Sequence, residues 1–84
     1  MSEAFAKTVN ATEYPPHQKH KVIFETFDSL QPGQAMLLIN DHDPAPLHYQ
    51  FDLEREGAFT WDYLERGPQT FRIKIERLKS WRHA

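Results

Sequence analysis

The chain has no cysteine. That absence excludes disulfides, thiolate metal sites, cysteine nucleophiles and persulfide chemistry together. It also lacks any apolar run approaching the roughly 20 residues that a membrane span requires. An excess of either charge is nearly absent: ten Lys and Arg stand against twelve Asp and Glu, a formal net charge of −2, so nothing demands a nucleic acid or an anionic membrane as partner. The start, Met1-Ser2-Glu3-Ala4-Phe5-Ala6-Lys7, lacks the basic residues and apolar stretch of a secretory signal, and the expectation is a cytoplasmic protein. No linker, repeat or low-complexity tract divides the sequence.

What is present suits one small domain. Eighty-four residues with 39% hydrophobic and 13% aromatic side chains supply one compact core built around large rings. The expected domain spans 1–84, with its core over about 6–78 and flexible ends at 1–5 and 79–84. Ala6 to Ala11 reads as a short first strand, ended by Glu13-Tyr14-Pro15-Pro16, because proline cannot donate to a sheet ladder. From His17 to about Ser29 the spacing turns helical: His20, Ile23, Phe24, Phe27 and Leu30 form one stripe. Gln31-Pro32-Gly33-Gln34 is a turn. Ala35-Met36-Leu37-Leu38-Ile39 is a short apolar run that fits a central strand.

A second helix follows Asn40-Asp41-His42-Asp43-Pro44, with Asp43 expected at the N-cap, Pro44 at the first helical position and Gly57 as the stop after Arg55. Phe59, Trp61 and Tyr63 alternate with polar neighbours, as do Phe71, Ile73 and Ile75. Period two on both sides of Glu65-Arg66-Gly67-Pro68 predicts a hairpin. The expected fold class is α+β: a two-layer βαβαββ sandwich, with a mixed four-stranded sheet and both helices on one face.

Three segments, residues 20–28, 40–50 and 59–68, together resemble the bacterial family called domain of unknown function 2249. The likeness runs from about Asn10 to Leu78, and Asn40-Asp41-His42-Asp43-Pro44 is its most specific part. That family is similar in topology to sulfur carriers of the TusA type, which place a Cys-Pro pair before the first helix. Here Glu13-Tyr14-Pro15-Pro16 stands in that place, and without a thiolate no sulfane sulfur can be held. The chain is therefore not a sulfurtransferase. The resemblance also implies a redox or nitrogen-oxide setting, and haemerythrin-like or cupin-like domains as partners.

His42, between Asp41 and Asp43, falls at the carboxyl end of the second strand, where ligands of open α/β sheets bind. If the first two strands are parallel neighbours, His17 and His20 come towards it. His48 lies one turn into the second helix, beside Tyr49. The ligand-binding candidates are His42, His20, Asp41 and Tyr49. A metal set of His42, His20, His48 and His17 would suit zinc, iron or copper, with Asp41 or Asp43 as a further ligand or holding a ring nitrogen. Their spacings match no closed-site pattern.

Plainer roles stand beside these. His20 on the apolar stripe suits a half-buried core histidine as well as a ligand. His17 fits an exposed helix start, His83 a tail, and His48 or Tyr49 an interface filler. The rings Phe59, Trp61, Tyr63 and Phe71 suit a core face better than a stacking platform. Arg72, Lys74, Arg77, Lys79 and Arg82 read as a solvated face with ion pairs rather than a nucleic-acid groove. Ser29, Ser80 and Thr12 have no catalytic partner pattern, and a short chain offers little depth for a water-excluded site. Two readings follow: an accessory module binding a metal or small ligand at the His42 loop, or a cofactor-free interaction domain, monomeric or dimeric, docking around Tyr14, His42 and Tyr49. A small enzyme ranks behind both.

Overall fold

The computed structural model describes residues 5–78. Expectations placed on residues 1–4 and 79–84, including the flexible ends, the His83 tail and Lys79 and Arg82, lie outside the described residues. Strand β1 (Lys7–Asn10) leads into a 3-10 turn, Ala11–Glu13, and helix α1 (Pro16–Asp28). Strand β2 (Ala35–Asn40), helix α2 (Ala45–Glu54) and strands β3 (Phe59–Arg66) and β4 (Phe71–Arg77) complete the chain. The sheet order is β1-β2-β4-β3, with β1 parallel to β2 and the other pairs antiparallel. This is the expected α+β architecture.

The register shows why the pattern folds this way. Val9 pairs with Leu38 and Leu38 with Ile73, while Met36 pairs with Ile75. Period two therefore gathers these five side chains on one sheet face. On that face they form a single core cluster with Ile23 and Phe27 of α1 and Leu47 and Phe51 of α2. Both helices thus cover the same face. Phe51 is fully buried. Its ring stacks on Phe24 at 4.4 Å and meets Phe27, Phe59 and Trp61 at 5.2–5.7 Å. Phe59, Trp61, Tyr63 and Phe71 all pack against this cluster, which makes the alternating rings a core face. Burying a side chain of this size contributes roughly 1.5–3 kcal/mol.

Four local expectations need correction. Asp43 does not cap α2: Pro44 occupies the cap position, no side chain caps the helix, and the Asp43 carboxylate accepts the Tyr63 hydroxyl at 2.5 Å instead. The hairpin turn lies later than Glu65–Pro68. Leu64 is an extra residue between the Tyr63/Ile73 and Glu65/Arg72 pairs. The bulge lets pairing continue to Arg66, and the turn closes through Gly67 N–H to Thr70 O at 2.7 Å. Gly67 suits it because φ is +76°, a region that side chains disfavour. The 3-10 turn after β1 was unforeseen; the Asn10 side chain caps it by accepting the Thr12 N–H and hydroxyl.

Arg77 is the fourth. It is not on a solvated face but buried. Its Nη1 donates to Asp28 O at 2.7 Å and Leu30 O at 2.8 Å, so a cation sits at the carbonyl end of α1. At the same end, Arg55 makes a two-pronged contact with the Asp28 carboxylate at 2.9 and 2.8 Å. These contacts hold the far ends of both helices and leave their N-terminal ends beside the end of β2.

Candidate functional site

Parallel pairing of β1 and β2 brings the start of α1 and the start of α2 to the same sheet end. Between them lies a cleft of about 80 Å³ lined by Ala11, Lys19, His20, Ile23, Asn40, His42, Pro44, Pro46 and Leu47. Its floor is apolar, from Ala11, Ile23, Pro44 and Leu47, all buried. Its polar groups are Lys19 and His20 from α1, Asn40 from the last position of β2, and His42 from the loop. A larger hollow of about 340 Å³ lies against the open sheet face, lined by Phe5, Ala6, Gly33, Gln34, Ala35, Lys74 and Glu76. It brings together one lysine, one glutamate and one glutamine, of opposed or neutral character, with Phe5, two alanines and Gly33.

Asn40 is the residue that sequence reasoning missed. It points to the helix side, in phase with Met36 and Leu38, and only 6% of it is exposed. Its Oδ1 accepts the Asp41 N–H at 3.0 Å. The amide nitrogen finds no hydrogen-bond acceptor among the described residues. A polar residue in phase with a buried strand face was the available signal.

His42 is held from outside the cleft. Its Nδ1 lies 2.8 Å from Asp41 Oδ1, which orients the ring and leaves Nε2 for another partner. That hydrogen bond to His42 holds the Asp41 carboxyl below its ordinary range, and Lys19 adds a smaller pull. Both side chains are about two-thirds exposed. His20 is exposed rather than half-buried, so the core-histidine alternative does not hold.

The other candidates lie elsewhere. His48 stacks on Trp61, with centroids 4.5 Å apart and planes within 5°, and its Nε2 is 3.9 Å from Asp52. It fills the interface between α2 and β3. Tyr49 is 63% exposed and does not line the cleft, and His17 is exposed at the start of α1 and does not line it either. The structure brings His20 and His42 together, with Asp41 behind, and separates them from the rest of the histidine set. Among the described residues, no group of three or more His, Cys, Asp or Glu side chains could hold a metal ion. No described helix is long and apolar enough to cross a membrane.

A family model described as an uncharacterized conserved protein, DUF2249, matches residues 8–77. The chain belongs to this family. No curated protein and no solved structure matches it. The matched stretch of this DUF2249 chain contains every residue that lines the cleft between the helix starts.

Chemically, the DUF2249 cleft offers donors and imidazole nitrogens over an apolar floor. No serine or threonine lines it to serve as a nucleophile for the histidines. Such an arrangement can bind and orient a small molecule.

Proposed function

We propose that this domain is a non-enzymatic binding module that seats a small ligand in the cleft between the α1 start, the β2 end and the α2 start. The observation that carries this reading is the convergence of Lys19, His20, Asn40 and His42 from three elements onto one apolar floor. Fold stability does not require that convergence: Lys19 and the exposed His20 and His42 contribute little packing, whereas an apolar hollow with a few converging polar groups is the usual form of a binding site. Asp41 orients His42 and is a positioning residue.

The test is thermal unfolding of wild type and His42→Ala with a panel of zinc, copper and iron salts, short carboxylates, inorganic anions and neutral fragments. At one hundred times its Kd, a ligand adds about 2.7 kcal/mol, or roughly 11–22 °C for a domain of this size. A saturable rise in wild type that His42→Ala abolishes supports the reading. No rise with any member, or one that persists in a His20→Ala/His42→Ala double variant, refutes it.

A second reading has its own observation. Tyr49 and Leu53, one turn apart on α2, are 63% and 61% exposed, so this helix carries apolar side chains outward as well as inward. The alternative is a cofactor-free interaction domain docking through that ridge. It predicts concentration-dependent association that a Tyr49→Ser/Leu53→Ser variant abolishes in light-scattering chromatography; a monomer at all concentrations removes the self-association form.

A further inference from the structure

Resting on the reading that the cleft binds a ligand, we propose that this ligand is a small oxyanion, the class that spans short carboxylates and inorganic oxyanions. Three observations converge on that class.

The first is the sign of the lining. Among the nine lining residues, Lys19, His20, Asn40 and His42 offer N–H groups, and none is an aspartate or glutamate. The carboxylate of Asp41, next in sequence to two of them, is turned to His42 Nδ1 and lies outside the lining. A lysine ammonium is a donor only, and an imidazole donates from at least one nitrogen. The second is Asn40. The residue lines the cleft with only 6% of its surface exposed, and its oxygen is already used by the Asp41 N–H, which leaves the amide nitrogen for a ligand. That nitrogen is not sealed off, since the buried side-chain polar atoms without a partner among the described residues are Thr60 Oγ1 and Trp61 Nε1; it is a donor within the cleft that an oxygen of a bound anion can accept from.

The third is the uncapped start of α2. No side chain caps this ten-residue helix, because Asp43 is spent on Tyr63. The Ala45 and Leu47 N–H groups of its first turn have no intrahelical acceptor, and Pro44, Pro46 and Leu47 form one wall of the cleft. The positive end of the helix dipole thus adds to Lys19 at the same place.

Size narrows the class. A volume of about 80 Å³ lies far below the roughly 300 Å³ at which pockets for larger ligands begin. An anion of a few heavy atoms can be seated wholly within it, whereas a nucleotide would stand largely outside.

The test is a proton–nitrogen NMR titration of the whole chain with sodium acetate and with sodium phosphate, at ionic strength held constant with sodium chloride. Acetamide, the neutral isostere of acetate, and zinc chloride are titrated in parallel. The expected result is saturable movement of the Asn40 side-chain amide and the Ala45 and Leu47 backbone signals with acetate or phosphate and none with acetamide. Lys19→Met, which removes the charge without touching the core, weakens that binding about tenfold or more. If acetamide or zinc saturates the same signals and neither anion does, the oxyanion assignment is overturned while the cleft stands as a binding site. If no probe moves them saturably, both fall.

Discussion

Replacing Arg77 tests the way the helix layer is locked to the sheet. Its Nη1 serves two carbonyls at the end of α1, 2.7 and 2.8 Å away, and its guanidinium lies 5.8 Å from the Phe27 ring centroid. A hydrogen bond to a charged group contributes about 1.5–3 kcal/mol. We take about 2 kcal/mol for the pair, because desolvation of the guanidinium offsets part of the gain. Loss of the methylene stem over the core adds about 1 kcal/mol. Arg77→Ala should therefore cost about 3 kcal/mol of the roughly 4–13 kcal/mol expected for 84 residues. That loss lowers Tm by roughly 12–24 °C. Arg77→Met keeps the stem and should cost about 2 kcal/mol; Arg77→Lys, able to reach one carbonyl, falls between Met and wild type. Urea unfolding with an unchanged m-value measures all three. Should Arg77→Met prove as stable as wild type, the two carbonyl contacts would not matter and the reasoning would fail.

Other outcomes follow from single contacts. Tyr63→Phe removes the bond to Asp43 and should cost about 1 kcal/mol in chemical unfolding. Burial first, and then the Asp43 carboxylate, hold the Tyr63 phenol above its usual value; the wild-type advantage is therefore full below about pH 10 and lost as pH rises through the folded value. Absorbance titration near 295 nm reads this directly, and a Tyr63 that titrates with the other tyrosines contradicts it. The Asp41 carboxyl, held low by His42, should titrate below the ordinary aspartate value of about 3.9 in carbon-detected NMR; its stabilising effect is present above that value and disappears as pH falls through the folded one. In His42→Ala the Asp41 titration should return towards the ordinary value. Gly67→Ala places a Cβ 2.8 Å from Phe71 Cζ at a φ of +76° and should cost about 1–2 kcal/mol in thermal unfolding.

Most of the fold was legible because it rests on periodicity. The stripe through Ile23 and Phe27, the run Ala35–Ile39 and the alternation of Phe71, Ile73 and Ile75 each have one low-energy placement, with their apolar side chains in a common core. Arg77 follows Ile75 in the same phase, so its burial was readable too, but residue type was allowed to outweigh position. The Leu64 bulge and the 3-10 turn were not legible, since each depends on pairing or capping partners that local pattern does not specify. Asp43 shows the same limit: it is a good cap by type, yet the adjacent proline took that position and Tyr63 on a distant strand took its carboxylate. Of the candidate residues, His42 and His20 line one cleft because topology brings strand ends and helix starts together. Tyr49 and His48 do not line it, because one helical step turns a side chain by about 100°, putting them away from the wall that Pro46 and Leu47 form.

The cleft of Lys19, His20, Asn40 and His42 is where this domain is proposed to bind its ligand. Following the Asn40 side-chain amide signal by NMR through a mixed library of small anions, neutral fragments and divalent metal salts tests it most directly. The account predicts that saturating library members move this signal, with the Ala45 and Leu47 N–H signals, and that His20→Ala/His42→Ala abolishes the movement. Saturable ligands that instead move only the outer face of α2 around Tyr49 and Leu53, or none at all, would contradict it.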